Sequence, residues 1–492
     1  MANHSARGKG VFPAAVAALV GCGLVFCSQT CAFAWDEGFH LLAAQLILGG
    51  KRPYLDFVFS QAPLNAYWNA LWMRLLGDTW RVAHLAAALC SAGAIFLTAD
   101  YCRRRFGELR FGPAAAVLAA LLLGLNAQVV NFGTIGQAYG FCLLLLTGGF
   151  RAAVGAVKSR SWRLAFTAGL LCGASADASL LTLPAAAIVL LWLLIYEGAG
   201  ARWTKGAAYA GGVLAGFAPL AWLFRLSPRN VIFGVLEYQM HYREVEWEGA
   251  GAHNLDVYLS WIDSPQALVL GVLAIAGAAF VHWRSGWSRE QRGEFYLCLW
   301  LALGLGAFVS IPHPTFERYY IFLLPFAAIL AAAGMYWLAE RFQTLERPVI
   351  PVLAAVLLTA AGLGKTLYDG RDDFRWSDFD PMLELVAREI PREAPILADE
   401  QIYFLSRRTP PEGMEEDDTH KLHLGANDTR SFHLMPMDEL DRRMMSGRYP
   451  LVEFRGSPEH LERLHLESVY RRRTTFEAIE CTVFWDPARH LP

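Results

Sequence analysis

Two adjacent carboxylates follow the first long apolar run of the chain. In the stretch "FAWDEGFHLLAAQLILGGKRPYLDF", Asp36 and Glu37 come directly after more than twenty largely apolar residues, and a third acid, Asp56, follows a Gly-Gly break. A carboxylate held at the end of an apolar segment can take a proton from a hydroxyl group, as a general base does. Acids are also common where a helix simply ends at a membrane surface, so the pair alone leaves both interpretations open.

The composition is that of a membrane protein with two differently charged parts. Of the 492 residues, 55% are hydrophobic and only 18% are charged, which is too apolar for an ordinary soluble multidomain protein. The net charge of −2 conceals an asymmetry at Tyr368. Residues before it carry 26 basic and 19 acidic side chains, whereas the remainder carries 17 and 26. Such a split suggests that the two parts lie in different environments.

Long apolar segments predict the membrane spans. A bilayer core about 30 Å thick is crossed by roughly 20 apolar residues in a helix. We therefore expect about eleven spans, at residues 11–34, 80–100, 112–129, 133–150, 164–178, 180–197, 207–224, 266–283, 294–311, 319–338 and 348–367. The connectors on one side are short and, with Arg7 and Lys9, hold roughly 17 Lys and Arg, against roughly 8 on the other side. The positive-inside rule then places the amino terminus in the cytoplasm and the tail outside.

The amino-terminal segment has a second interpretation. Arg7, Lys9, the apolar run and the sequence CAFA also fit a cleavable signal peptide, and LVGC ending at Cys22 faintly resembles a lipoprotein signal. The run is longer than the usual signal core of about 7–15 residues, so we expect a retained span that anchors Asp36 at its end. The nine cysteines indicate neither a disulfide framework nor a metal cluster, because eight lie in or beside spans and Cys481 is alone in the tail.

The outer side carries most of the chain that lies between spans. Its first loop (35–79) has about 45 residues, its second (225–265) about 40, and the tail about 120. Loops longer than about 15 residues are uncommon unless they have a function. Helical spacing predicts two amphipathic interfacial helices in the first loop, one near Phe39 and one over "PLNAYWNALWMRLLG". "EYQMHYREVEWEG" in the second loop favours a solvated amphipathic helix over a substrate-binding segment.

The tail alternates helical and strand-like patterns. "FDPMLELVAREIP" predicts a helix that opens on Pro381, whereas "APILAD", "YPLVEF" and "FEAIECTVFW" predict three short strands. "PPEGMEEDDTH" is an acidic segment with Pro and Gly, and this composition is typical of a loop. These patterns predict a small soluble α/β domain.

The first outer loop carries the motifs of a known family. "WDEGFHLLAAQLILGGKRPYLDFVFSQAPLNAYWNALWMRLLG" has an Asp-Glu pair after the first span, a G-x-x-P-Y-x-D turn and a Q-x-P-L sequence that opens the next helix. In order, spacing and position it resembles the first outer loop of the GT-C glycosyltransferases, notably the bacterial relatives of dolichyl-phosphate-mannose protein mannosyltransferases and the lipid-A-modifying sugar transferases. "IPHPTFERYYIFLLPFAAIL" also resembles the final outer turn of that family. The resemblance covers about residues 11–367, and the tail matches only as an outer soluble domain.

The resemblance implies a reaction and a role for each acid. Such enzymes transfer a sugar from a polyprenyl phosphate to an acceptor, which requires a base to take the acceptor proton. It implies that Asp36 is this base in an inverting displacement and that Glu37 orients the acceptor or Asp36. It also places Asp56 near the sugar or the base, together with Tyr54 and Gln61 of the same motifs. Asp is frequent in turns as well, so a purely structural role for Asp56 stays open.

A cation is expected to meet the negative charge of the departing phosphate. Arg318 is the best candidate on the outer side because a guanidinium can bind a phosphate through two hydrogen bonds. His313, Tyr319 and Tyr320 flank it. Tyr and Arg at a span end also form the interface belt of any membrane protein, which is the alternative interpretation. Asp177 lies between apolar spans, where an ionisable group costs about 2.5–3.5 kcal/mol, and we expect it to face a loop or a water-filled cavity.

These observations predict a mainly α, polytopic membrane bundle of the GT-C type with a small C-terminal extracytoplasmic α/β domain. The expected division is a transmembrane catalytic domain at 1–367 and a soluble domain at 368–492. The resemblance implies an enzyme of the bacterial inner membrane that faces the periplasm. Its partners would be a polyprenyl-phosphate-linked sugar, a lipid, glycan or protein acceptor and the lipid bilayer, with no nucleic acid. No cofactor is expected, since three scattered carboxylates do not define a divalent metal site.

Two other classes of membrane protein share some of these features. A secondary transporter also has many apolar spans with few buried polar groups, but it places those groups near the membrane midplane on broken helices. Here the polar groups collect at the outer ends of the predicted spans. A polymerase or ligase of surface polysaccharide would share the lipid-linked donor but usually lacks the early acidic pair.

Overall fold

The computed structural model describes residues 3–109, 111–198, 200–243, 245, 247, 249–284, 287–344 and 348–488, with side chains from residue 12 onward. Helices make up most of the described chain. The first twelve α-helices are α1 (Asn3–Thr30), α2 (Glu37–Leu48), α3 (Leu64–Leu76), α4 (Trp80–Arg105), α5 (Gly112–Gly124), α6 (Ala127–Asn131), α7 (Tyr139–Ser159), α8 (Trp162–Ala178), α9 (Leu183–Tyr196), α10 (Arg202–Gly216), α11 (Ala218–Leu226) and α12 (Pro228–Ile232).

The remaining elements continue in chain order. The α-helices are α13 (Ala250–Asp263), α14 (Pro265–Trp283), α15 (Arg289–Val309), α16 (Leu324–Arg341), α17 (Val349–Asp369), α18 (Asp380–Glu389), α19 (Glu400–Ser406), α20 (Ala426–Ser431), α21 (Met437–Met445), α22 (Pro458–Leu464) and α23 (Leu466–Val469). The strands are β1 (Leu451–Phe454), β2 (Arg472–Phe476) and β3 (Cys481–Trp485). A π-helix spans Phe233–Tyr242, and short 3-10 helices include Glu317–Leu323 and Asp417–Thr419.

The chain divides into two compact units. The membrane unit comprises Met1–Ala32, His84–Leu220 and Gly249–Arg371. The loop–tail unit comprises Phe33–Ala83, Ala221–Glu248 and Asp372–Pro492. This grouping differs from the expected division at 367 and 368, because the first outer loop and the start of the second group with the tail and not with the membrane helices.

The membrane unit supplies most of the helices that could cross a bilayer. Among the described residues, seven helical segments are long and apolar enough, namely Phe12–Thr30, Trp80–Arg105, Tyr139–Ser159, Pro265–Trp283, Arg289–Val309, Glu317–Arg341 and Val349–Glu389. The pair α10 and α11, bent by 56°, gives an eighth. Each of the eleven predicted spans overlaps a helix, although α5 and Leu180–Tyr196 are shorter than a full span. The chain is a multi-pass membrane protein, and the count of eleven stays a prediction.

Small residues let pairs of membrane helices approach closely. A Cβ atom on Gly169 of α8 would lie 2.0 Å from the carbonyl oxygen of Tyr209 on α10. A Cβ atom on Gly277 of α14 would lie 1.9 Å from the carbonyl oxygen of Leu330 on α16. Close backbone contact through glycine is a common way to pack helices where water supplies no hydrophobic driving force. The close contact between α14 and α16 fixes the position of α16 and therefore of the outer turn that precedes α16.

In the loop–tail unit, both predicted helices of the first outer loop are present. The prediction of a single apolar face is wrong for α2, because nine of its residues are buried, Glu37 and His40 among them. This helix packs against α3 of the first loop and α19 of the tail, which accounts for its burial. Helix α3 does have two faces, with Ala66 and Met73 buried and Leu75 exposed.

The tail forms a three-stranded antiparallel sheet in the order β1-β3-β2. The predicted helix at Pro381 is α18, and "YPLVEF" contains β1. The other two strand predictions need correction. "APILAD" forms a single bridge between Leu397 and Val452. "FEAIECTVFW" is not one strand, because a 3-10 turn and a left-handed Glu480 (φ 50°) separate the end of β2 from β3.

The second outer loop also contributes to the core of the loop–tail unit. The start of "EYQMHYREVEWEG" is helical, as predicted, but as the end of a π-helix, in which Tyr238 is buried whereas Met240 and His241 are exposed. Phe233 of this helix stacks on Phe432 of the tail with ring centres 3.9 Å apart. Both belong to an apolar cluster that includes Val58 of the first loop and Leu422 of the tail.

Candidate functional site

Asp36 stands at the amino-terminal end of α2. It occupies the N-cap position and is partly buried, whereas Glu37 in the first turn is fully buried. The amino-terminal end of a helix carries a partial positive charge, which favours a negatively charged group there. A carboxylate in this place has a fixed backbone and retains access to solvent, as a base requires.

Aromatic rings hold the residue before Asp36. The ring of Trp35 packs against Phe33 and Phe374, with centres 6.0 and 5.7 Å away. Phe33 in turn packs against Trp376 at 5.4 Å. These edge-to-face contacts join the start of the first outer loop to the start of the tail, and such pairs stabilise beyond their buried area.

Carboxylates of the tail lie close to Asp36. Burial raises the pKa of Asp417 to about 7. Three neighbouring carboxylates add to this effect, namely Asp399, Asp418 and Asp36. Sequence reasoning missed these tail acids, because "PPEGMEEDDTH" has the composition of a solvated loop. The only sequence signal was the density of acids in that segment.

Glu400 and Glu416 are buried in the same neighbourhood. The carboxylate of Glu416 accepts hydrogen bonds from the amide of Ser60, over 2.9 Å, and from the Ser60 hydroxyl. Burial raises the pKa of Glu416 to about 8. Glu400 is 1% exposed, and neither of its carboxylate oxygens has a hydrogen-bond partner in the described part of the chain. Burial and the charges of nearby acids raise the pKa of Glu400 well above its usual value.

The motif residues Tyr54, Asp56 and Gln61 form one compact turn. The carboxylate of Asp56 accepts hydrogen bonds from the Arg52 amide at 2.8 Å and from its guanidinium at 2.9 and 3.1 Å. These bonds hold the pKa of Asp56 below its usual range. Tyr54 has left-handed backbone geometry (φ 66°), and its hydroxyl donates to the carbonyl of Gln61. The geometry gives Asp56 a structural role in the turn, and a substrate contact stays a prediction.

In the membrane unit, Arg318 lies on an aromatic platform. Its guanidinium carbon is 4.4 Å from the ring centre of Phe316, a distance typical of a cation–π contact. Tyr319 is buried beside it, and the Tyr320 hydroxyl lies 2.7 Å from the Ser310 hydroxyl. The platform fixes the position of the Arg318 side chain.

Asn254 organises the turn before Arg318. Its side-chain oxygen accepts a hydrogen bond from the Thr315 amide over 2.7 Å, and its side-chain nitrogen donates to the carbonyl of Pro312 over 3.2 Å. The same nitrogen lies 3.0 Å from Nδ1 of His313, which is otherwise exposed. Sequence reasoning missed Asn254, because it is distant in sequence from the turn that it fixes.

Asp177 is fully buried near the end of α8. One carboxylate oxygen accepts a long hydrogen bond of 3.4 Å from the Leu220 amide. The other has no hydrogen-bond partner within the described residues. A buried oxygen in this state is costly unless a polar partner reaches it, so the expectation of a water-filled cavity stays open.

The predicted site residues therefore fall in two groups. The loop–tail unit contains Asp36, Glu37, Tyr54, Asp56 and Gln61, and the membrane unit contains Asp177, His313, Arg318, Tyr319 and Tyr320. Across the described residues, no group of three or more His, Cys, Asp or Glu side chains is arranged to hold a metal ion. Metal independence stays a prediction.

Sequence comparisons find no relative of the chain, whereas structural comparisons do. No family model and no curated protein matches the sequence. ArnT from Cupriavidus metallidurans bound to undecaprenyl phosphate matches with a TM-score of 0.68 at 14% identity, over 97% of this chain and 98% of that chain. Its apo structure matches with the same TM-score at 15% identity, over 98% of each chain. The oligosaccharyltransferase AglB from Archaeoglobus fulgidus, in complex with an inhibitory peptide and a dolichol-phosphate, gives 0.51 at 13% identity, over 82% and 64%.

These structural neighbours are all GT-C glycosyltransferases. The likeness to ArnT extends over nearly the whole of both chains, so it includes the tail, where sequence resemblance ended. The chain therefore has the fold of the GT-C superfamily of membrane glycosyltransferases, as the motifs of its first outer loop predicted.

Proposed function

We propose that the protein is an integral membrane glycosyltransferase that moves a sugar, a hexose or a pentose, from a polyprenyl-phosphate carrier to a membrane-proximal acceptor. The proposed reaction takes place on the periplasmic face of the bacterial inner membrane, and the acceptor is a lipid, a glycan or a protein. The observation that carries the proposal is the match over 97% of the chain to a structure with undecaprenyl phosphate bound. The Asp-Glu pair at the start of α2 supports it with a base in a suitable place.

In the proposed reaction, Asp36 acts as the general base. Its carboxylate takes the proton of an acceptor hydroxyl while the acceptor oxygen attacks C1 of the sugar. The bond between C1 and the phosphate oxygen breaks, and the polyprenyl phosphate leaves with the electron pair. The displacement inverts the configuration at C1. Glu37 orients the acceptor or Asp36.

Arg318 binds the phosphate of the carrier in this mechanism. A guanidinium stacked on Phe316 is held in place and presents its donors in a fixed plane, which suits a phosphate with two accepting oxygens. His313, Tyr319 and Tyr320, which lie near Arg318 in the sequence of the same unit, are proposed to bind the same phosphate. Asp177 lines a polar cavity, and no divalent metal is required.

The test is carrier turnover by the purified protein in lipid vesicles. A panel of undecaprenyl-phosphate sugars is supplied with candidate acceptors, and released undecaprenyl phosphate is measured. We expect Asp36→Asn to lower turnover by about 10²–10⁴-fold, the usual contribution of a general base. Asp369→Asn is the matched control, because Asp369 also lies at a terminus of an apolar helix and forms a local ion pair with Lys365 at 2.6 Å.

Other outcomes would favour the other classes of protein. Equal activity of Asp36→Asn and the Asp369→Asn control would show that Asp36 is no more than an acid at a helix terminus, and would contradict the proposed base. Flux of a soluble solute without carrier turnover would favour a secondary transporter. Formation of a polymer from the carrier-linked sugar would favour a polymerase or ligase. Loss of turnover in EDTA, restored by Mg²⁺ or Mn²⁺, would overturn the expected metal independence.

A further inference from the structure

The tail contacts the residue directly before Asp36. The side-chain amide of Gln401 on α19 donates a hydrogen bond to the Trp35 carbonyl over 2.9 Å. The guanidinium carbon of Arg455 lies 4.2 Å from the centre of the Trp35 ring. One contact therefore holds the backbone of Trp35 and the other holds its side chain, and both come from residues beyond position 400.

The tail also contacts the helical turn directly after Asp36. A Cβ atom on Gly38 would lie 2.7 Å from Nε2 of Gln401 and 2.8 Å from Cγ of Glu400. The side chains of Gln401 and Glu400 on α19 therefore lie directly against Gly38, and any larger residue there would have to displace them. Glycine is otherwise a poor residue inside a helix, so this close approach gives a reason for its presence.

The residues that make these contacts are themselves held firmly. Gln401 is fully buried. Arg455 forms ion pairs with Asp399 and Glu453, each over 2.8 Å. Glu453 belongs to β1 and also accepts a hydrogen bond from the Asp399 amide over 2.9 Å. The contacts on Trp35 and Gly38 are thus rooted in the sheet of the tail.

We propose that Gln401 and Arg455 are positioning residues that fix Asp36 for catalysis, so that the tail completes the catalytic machinery. The proposal rests on the proposed function, in which Asp36 is the base. Neither residue touches the reacting atoms. They act by holding the backbone on either side of Asp36, and a displacement of about 1 Å in a catalytic group can lower a rate by about 10²-fold.

Two variants of similar chemistry separate positioning from simple docking of the tail. Gln401→Met removes the amide that binds Trp35 and keeps the length of the side chain. Gln45→Met removes another amide between α2 and α19, which donates to the Phe404 carbonyl over 3.3 Å and to Asp78 over 3.0 Å. Gln45 lies at the far end of α2, so its contact ties the same two helices without holding Asp36.

We expect Gln401→Met to lower kcat by about 10- to 100-fold with little change in the KM for the polyprenyl-phosphate sugar. It should also shift the acid limb of the pH dependence of kcat, since the surroundings of the base change. Gln45→Met should leave kcat and the pH profile as in the unchanged protein, although its thermal midpoint falls by a similar amount. Equal kcat values for the two variants would overturn the proposal.

Gly38→Ala keeps the inference testable if Gln401→Met fails to fold. The added methyl group should displace the buried Gln401 side chain from its contact with Trp35 and lower kcat in the same way, while alanine favours the helix itself. When both variants fold, their effects should be less than additive, because they disturb the same contact. Full additivity, or a normal kcat for Gly38→Ala, contradicts the inference. Loss of activity in Asp36→Asn together with normal kcat in both variants would reject the positioning role and leave the proposed function intact.

Discussion

Arg318 and Arg371 make the same kind of contact but have different expected roles. The guanidinium carbon of each lies 4.4 Å from the centre of an aromatic ring, Phe316 for one and Tyr368 for the other. Arginine stacked on an aromatic ring at a span end is typical of any membrane protein. Only Arg318 lies in the outer turn that Asn254 organises. A comparison of variants at the two residues therefore tests whether Arg318 is the proposed phosphate ligand or a member of the interface belt.

We expect Arg318→Gln to raise the KM for the polyprenyl-phosphate sugar and to lower kcat/KM by about 10- to 100-fold, since a hydrogen bond to a charged group is worth about 1.5–3 kcal/mol. Arg318→Lys should recover only part of this loss, because an ammonium group keeps the charge but not the planar fork. Steady-state kinetics in vesicles measure both. Arg371→Gln should behave like the unchanged protein, and a similar loss in that variant would assign Arg318 to the interface belt.

At the scale of elements, the acidic segment around Glu416 makes the stability of the loop–tail unit depend on pH. The pKa of Glu416 is about 8 in the folded protein, against about 4.3 for an unperturbed Glu. Between these values the folded state holds a proton that the unfolded state has released. The contribution of Glu416 to the stability of the folded state is therefore complete below about pH 4 and is lost as the pH rises towards 8.

We expect Glu416→Gln to flatten this fall in stability. A difference of one bound proton changes the free energy of unfolding by about 1.4 kcal/mol per pH unit. Glutamine has no such proton to release, but its side-chain oxygen can still accept a hydrogen bond from Ser60. Thermal midpoints of the detergent-solubilised protein from pH 5 to 8 give the measurement. Glu393→Gln is the control, because Glu393 is exposed in the same unit. If the two variants keep the same slope, the buried carboxyl is not the cause.

The elements also show why sequence reasoning succeeded in some places and failed in others. Helix α18 follows from its local pattern, because its apolar residues lie on the face that is buried, and β1 follows from a short run that is buried throughout. Helix α2 looked amphipathic, but it is buried almost all round since α19, more than 350 residues later, covers its polar side. Asp36 could be found from its position after a span, whereas Gln401 and Arg455 could not, because their role depends on a long-range contact with Trp35.

At the scale of the whole molecule, the loop–tail unit restricts how the chain crosses the membrane. The unit consists of three segments of the chain. The first ends at Ala83, the second runs from Ala221 to Glu248, and the third begins at Asp372. Asn230 of the middle segment links all three, because its side chain donates to the Tyr54 carbonyl at 2.8 Å and to the Ser431 carbonyl at 2.7 Å. Segments that pack together in this way must lie on one side of the bilayer, so each intervening stretch must cross it an even number of times.

This parity bears on the number of spans. Within the described residues, the long helices between the first and second loops are Trp80–Arg105, Tyr139–Ser159 and the bent pair Arg202–Leu226, which is an odd number. The stretch between the second loop and the tail contains four long helices, which is an even number. An odd number of shorter helices must therefore also cross before the second loop, and the predicted spans in α5, α8 and α9 supply three. The eleven predicted spans satisfy both conditions.

Cysteine labelling tests this arrangement. We expect Arg74→Cys, Met240→Cys and Glu459→Cys, one exposed position in each segment of the loop–tail unit, to react with a membrane-impermeant maleimide from the periplasmic side of spheroplasts. The background for these variants has the exposed Cys22 and Cys31 replaced by alanine.

Arg163→Cys, on a short basic connector, should react only after lysis, because the positive-inside rule keeps such connectors in the cytoplasm. Labelling of Arg163→Cys alone in intact spheroplasts would place Asp36 in the cytoplasm, where the proposed carrier-linked reaction does not occur. Labelling of only some of the three loop–tail positions would contradict the parity argument.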